Sequence, residues 1–154
     1  MFDFDWSLNA GKIGEHITEC YLEKCGNIDY VDDVRDNAFY RFSDVDYIAH
    51  IKTGFLFIEV KTDTQLQRTG NIVYETSTSG NIGCFKKTMA NYIFYVVPAI
   101  KTLYILDMEK LNAYVTLFCK RKKTCRCGDA AECYLIPISK LKDTPVIRKE
   151  VHWE

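Results

Sequence analysis

The sequence predicts a mixed α/β fold, a central mixed β-sheet flanked by helices, in a single domain spanning residues 1–154. Three observations carry that expectation. Short β-branched and aromatic runs bounded by turn residues read as strands, an amphipathic repeat near the N-terminus reads as a helix, and a second helical stretch follows the later strands. With 154 residues and 47% hydrophobic content the chain is long and apolar enough to bury a core. No internal repeat, low-complexity tract or Pro/Gly linker marks a domain boundary.

Ser7 is placed as a helix cap, and Leu8, Ile13, Ile17, Cys20 and Tyr21 recur at helical spacing until Cys25-Gly26, where glycine stops the helix. Glu15 sits among those apolar positions, off the fully exposed face. A strand is expected around Asn27–Arg35, then a hairpin of Val45–Ile51 and Gly54–Lys61 turning at Lys52-Thr53. Asn71–Glu75 reads as a short strand, Thr76–Gly83 as a Ser/Thr/Gly loop and Cys84–Ala90 as a short basic segment. Asn91–Val97 is a strand stopped by Pro98 and joined through Ala99–Thr102 to a strand at Leu103–Leu106. Met108–Phe118 is helical, and Tyr134–Ile136 is a late strand.

The chemistry-bearing feature is Asp46-x12-Glu59-Val60-Lys61. A hairpin closing on Lys52-Thr53 sets residues whose numbers sum to 105 opposite each other, so Asp46 faces Glu59 with β-carbons roughly 4.5–5.5 Å apart. Lys61 joins Glu59 on that face while Val60 points into the core. Phe55, Leu56, Phe57, Ile58 and Val60 make both strand faces apolar, as in a central strand, where an uncompensated charge is costly. Two carboxylates and a lysine gathered there suit a divalent metal. Asp44 competes with Asp46, since both fall on one strand face; Asp46 is preferred because the apolar Tyr47-Ile48-Ala49 follows it directly.

With Asp46, Glu59 and Lys61 in this order, the chain resembles the PD-(D/E)xK nuclease superfamily, with its restriction-endonuclease-like and Holliday-junction-resolvase-like fold. Gly11-Lys12-Ile13-Gly14-Glu15, Thr69–Glu75, Gly83–Thr88 with Ala90-Asn91-Tyr92, and Cys127-Gly128-Asp129 before Tyr134–Pro137 look like a phage-type branch of it, over residues 8–142. Val45 stands where the signature has proline. The resemblance implies a Mg2+- or Mn2+-dependent endonuclease. In it Asp46, Glu59 and the Val60 carbonyl hold the metal, Lys61 is catalytic, and Glu15 is an additional catalytic acid. Lys86, Lys87 and Thr88 are the candidate DNA contacts. Glu75 also matches a family position, without a chemical role. Resolvase-like cleavage of two strands would further suggest a homodimer.

The net charge of −1 does not by itself mark a nucleic-acid binder, but the charge is unevenly placed. Residues 1–79 hold 14 acids and 7 Lys or Arg, and residues 80–154 hold 7 acids and 13 Lys or Arg. An acidic metal half beside a basic half suits a phosphodiester substrate. No apolar stretch is long enough to span a bilayer and the first residues are acidic, so a cytoplasmic protein is expected. Seven cysteines, an odd number, do not imply a complete disulfide framework. Cys20, Cys25 and Cys84 read as core fillers. Cys119, Cys125, Cys127 and Cys133 are enough ligands for structural zinc, which their spacing does not favour because such sites use Cys-x2-Cys pairs. The rival readings are a catalytically silent nuclease-fold protein that binds DNA or a protein, such as a phage-encoded inhibitor, and a zinc-stapled binding module.

Overall fold

The structure, a computed structural model, describes residues 4–125 and 131–154. The chain is mixed α/β. A six-stranded sheet runs in the order β1 (Tyr30–Asp33), β2 (Tyr47–Ile51), β3 (Gly54–Thr62), β6 (Tyr92–Val97), β7 (Thr102–Asp107), β10 (Ile147–His152). Every pairing is antiparallel except the central β3–β6 pair, which is parallel. A four-stranded sheet runs β5 (Asn81–Ile82), β4 (Asn71–Thr78), β9 (Ala131–Pro137), β8 (Lys123–Cys125).

Side chains alternate across the large sheet, and the two faces feed two cores. Ile58, Phe94, Val96, Leu103 and Ile105 pack beneath helix α1 (Phe4–Glu23), with Leu22, Ile17 and Tyr21. Ile93, Tyr95, Val97, Tyr104 and Leu106 pack against Ile72, Tyr74 and Ile136 of the small sheet and Leu111 and Val115 of helix α5 (Met108–Phe118). Five of the six residues of β6 are buried, as expected of a strand covered on both faces. Gly14 brings α1 against β3: a Cβ there would overlap the Thr62 hydroxyl.

The hairpin register agrees with the expectation, Tyr47 opposing Ile58 and Ile51 opposing Gly54 around the turn at Lys52-Thr53. Other boundaries moved. Helix α1 begins at Phe4, so Ser7 lies within it, and β1 is confined to Tyr30–Asp33. The expected loop from Thr76 is instead the end of β4 followed by β5, because this stretch pairs with β9 as well as with itself. Strand β3 is not apolar-covered throughout: Phe55 is 57% exposed, and burial begins only at Ile58 and Glu59. Five short elements had no sequence expectation: α2 (Ala38–Phe42), α3 (Leu66–Thr69), α6 (Ile138–Leu141), β8 and the edge strand β10. Helix α4 (Cys84–Lys87) falls in the predicted basic segment.

Candidate metal centre

Asp46 stands one residue before β2, where its N–H donates to the Ile58 carbonyl (2.8 Å), continuing the ladder so that it opposes Glu59. One Asp46 oxygen, Oδ2, accepts the Val60 N–H at 2.8 Å. Burial, followed by the neighbouring Glu59 charge, pushes Asp46 up to about 7; the Val60 N–H and Lys61 oppose the shift. Glu59 is 5% exposed, and its Oε1 lies 2.8 Å from Lys61 Nζ. Burial alone would depress Lys61, but the Glu59 carboxylate outweighs it and holds the ammonium charged above its usual range. The corner therefore holds two carboxylates close together and one lysine committed to one of them.

Two further groups complete the corner. Asp44 sits at φ 47°, a left-handed conformation that aspartate tolerates better than most residues. It is fixed from α4's side: the Thr88 hydroxyl donates to its carbonyl (2.6 Å), and Lys87 Nζ lies 3.1 Å from Oδ2. Neither Asp44 nor Asp46 lies in a strand, so the expectation that both share one strand face does not hold. Cys84, expected as core filler, directs Sγ at Glu59 Oε1 (3.6 Å), and burial pushes its thiol up to about 12 against the pull of Lys61. Its place depends on Gly83, where a Cβ would come within 2.8 Å of the Glu75 backbone, so only glycine lets α4 dock on β4. One ligand atom each from Asp44, Glu59 and Cys84 lies within 4.8 Å of the others. The missed signal was in the sequence: the short basic segment after Gly83 begins with a cysteine.

Glu15 takes a different place. Its carboxylate binds Arg35 Nη1 at 2.5 Å, and Arg35 also binds Glu19 (2.9 Å) and Asp33 (2.5 Å) while lying over the Tyr47 ring. Burial raises Glu15, Arg35 lowers it, and Asp46 is close enough to raise it again, so Glu15 borders the centre from α1. Among the candidate DNA contacts, Thr88 spends its hydroxyl on Asp44 and on the Ala90 N–H, and Lys87 is held between Asp44 and the Phe42 ring. Lys86 alone of the three is exposed. Glu75 lies in β4 opposite Cys133. Of the four late cysteines, Cys119 is a free thiol and Cys133 is disulfide-bonded; the Cys125 side chain and Cys127 lie outside the described residues, as does Gly128-Asp129. Among the described residues no helix is long and apolar enough to cross a membrane.

The chain matches no family model, no curated protein and no solved structure.

Proposed function

We propose that this chain is a Mg2+-dependent DNA phosphodiesterase of the PD-(D/E)xK kind, an endonuclease or resolvase-like enzyme, with Mn2+ able to replace Mg2+. One observation carries the reading: Asp46 and Glu59 meet at a buried corner with too little positive charge, and burial with the Glu59 charge pushes the Asp46 carboxyl up to about 7. The donors fit a hard divalent cation, because Asp46, Glu59 and the Val60 carbonyl offer oxygen only, as magnesium prefers. Bound there, Mg2+ supplies charge neutralisation at the phosphate and a more acidic water.

The rest of the chemistry belongs to the chain. Asp46 and Glu59 bring the negative charge that selects a cation, and the Val60 N–H fixes the Asp46 carboxylate. Lys61, charged and beside Glu59, donates to the attacking water and to phosphate oxygens as negative charge grows on them. Glu15 orients water at the rim. Lys86 and the basic second half of the chain attract the DNA backbone. The enzyme would act in the cytoplasm, on phage or host DNA, as a homodimer where two strands are cut.

The test is cleavage of a panel of branched, flapped, duplex and single-stranded DNAs with Mg2+. Cleavage lost in Glu59→Gln is expected. DNA binding without cleavage on every substrate would favour the silent DNA-binding reading instead.

A further inference from the structure

We infer that the same corner holds a second, thiophilic cation site, in which Asp44, Glu59 and Cys84 bind an ion of the Zn2+ or Cd2+ class. Two independent features point to it. The three ligand atoms converge within 4.8 Å although they come from a turn, a central strand and a separate short helix. In addition, Asp44 Oδ2 is shielded from solvent and accepts no hydrogen bond, although the Lys87 ammonium 3.1 Å away supplies a compensating charge. A buried carboxylate oxygen with its acceptor directions unused has room for a coordinated ion, which would displace Lys87 from it.

The donor set fixes the class of ion. One sulfur and two carboxylates are three protein ligands, which leaves a tetrahedral ion one open position for water. Thiolate is a soft ligand that favours Zn2+ and Cd2+ over Mg2+, whereas Asp46 with the Val60 carbonyl is all-oxygen and favours the hard ion. Binding requires the Cys84 thiol to release its proton to solvent, so one proton leaves per ion bound. Both sites use Glu59, so the two ions would either compete for its carboxylate or share it as a bridge. That coupling rests on the Mg2+ reading above; the thiophilic site itself does not.

The experiment titrates metal-free protein with Cd2+ and follows the ultraviolet thiolate-to-metal charge-transfer band, with no DNA present. The expected result is a band saturating at one equivalent, lost in Cys84→Ser, weakened in Asp44→Asn and kept in Cys119→Ala. No band in the wild-type protein, or a band that survives Cys84→Ser, overturns the site. Should Cys84→Ser fail to fold, alkylation of wild-type Cys84 by iodoacetamide, read by mass spectrometry, replaces it. One equivalent of Zn2+ should slow that alkylation, and an unchanged rate overturns the site. Because neither readout involves cleavage, an inactive protein that shows the band would sink only the nuclease reading.

Discussion

Two acidic clusters flank strand β2, and they are solved differently. At the α1 edge, Glu15, Glu19 and Asp33 share a single guanidinium, Arg35, whose planar fork binds all three. The result is self-consistent: hydrogen bonding to Arg35 holds Asp33 below the usual carboxylate range, and hydrogen bonding to Asp33 raises Arg35. On the β3 side, Lys61 is the one cation paired with Asp46 or Glu59 among the described residues; it sits on Glu59, and burial with the Glu59 charge pushes the Asp46 carboxyl up to about 7. A cluster that satisfies itself pins a helix to a sheet. One that does not satisfy itself is a place for a cation. The second is therefore the candidate centre and the first its brace.

The sharpest break of this comparison is removal of the acids. Asp46→Ala and Glu59→Ala should each abolish both cleavage and Mn2+ binding measured by calorimetry. Lys61→Ala should lower the cleavage rate about 10²- to 10³-fold, as loss of a transition-state donor does, while largely sparing Mn2+ affinity. Asp44→Ala should be milder for Mn2+. If Asp44→Ala alone removes Mn2+ binding, the hard-ion ligand is Asp44 and the preference for Asp46 fails.

On the braced side the expected loss is of stability. Arg35→Ala leaves three carboxylates facing one another, each about a third to a half exposed. Solvent screens part of that repulsion, so the cost should be about 1–3 kcal/mol, below that of breaking a fully buried pair. Urea unfolding midpoints measure it. Arg35→Lys should restore only part, since an ammonium cannot make the three-way fork. An unchanged midpoint in Arg35→Ala would mean the brace is decorative.

The same contrast explains what the sequence disclosed. Strand periodicity, the Lys52-Thr53 turn and the alternation around Glu59 are local, so the register and the side on which Glu59 and Lys61 fall could be read directly. The boundaries of Met108–Phe118 were equally plain, with Asp107 capping the Lys110 N–H. What could not be read was tertiary. Arg35 meets Glu15 only because Gly14 lets α1 approach β3, and Cys84 meets Glu59 only because Gly83 lets α4 lie on β4. Edge strand β10 carries little apolar alternation and exists through its pairing with β7. Thr88 looked like a phosphate ligand because its commitment to the Asp44 carbonyl spans 44 residues.

The two clusters should also separate by pH. The Asp46 carboxyl, at about 7 in the folded chain and near 3.8 when unfolded, binds its proton more tightly in the native state. Stability in chelator should therefore fall as pH rises from about 4 to 7 and then level off. Asp33 contributes with the opposite sign: its depressed carboxyl stabilises above its unfolded value and loses that contribution as acid protonates it. The difference in melting temperature between wild type and Asp46→Asn isolates the first effect, and it should widen up to pH 7. Adding Mn2+ should cancel it, since binding displaces the proton. A constant difference across that range would mean Asp46 is ionised throughout.

The smallest expected effect tests whether the basic half does more than decorate the surface. Lys86 is exposed at a cleft of about 370 Å3 shared with Tyr74, Asn112 and Tyr134, while its neighbour Lys87 is tied to Asp44. Lys86→Glu should therefore weaken DNA binding by a few-fold and reduce the salt slope of log affinity by about 1, because one phosphate contact is lost. Mn2+ affinity should not change. Lys87→Glu should disturb both, since it sets a like charge against Asp44 at the edge of the centre. Fluorescence anisotropy across a salt series reads the first variant and calorimetry the second. Equal behaviour of the two lysines would show that α4 has no division between a DNA side and a metal side.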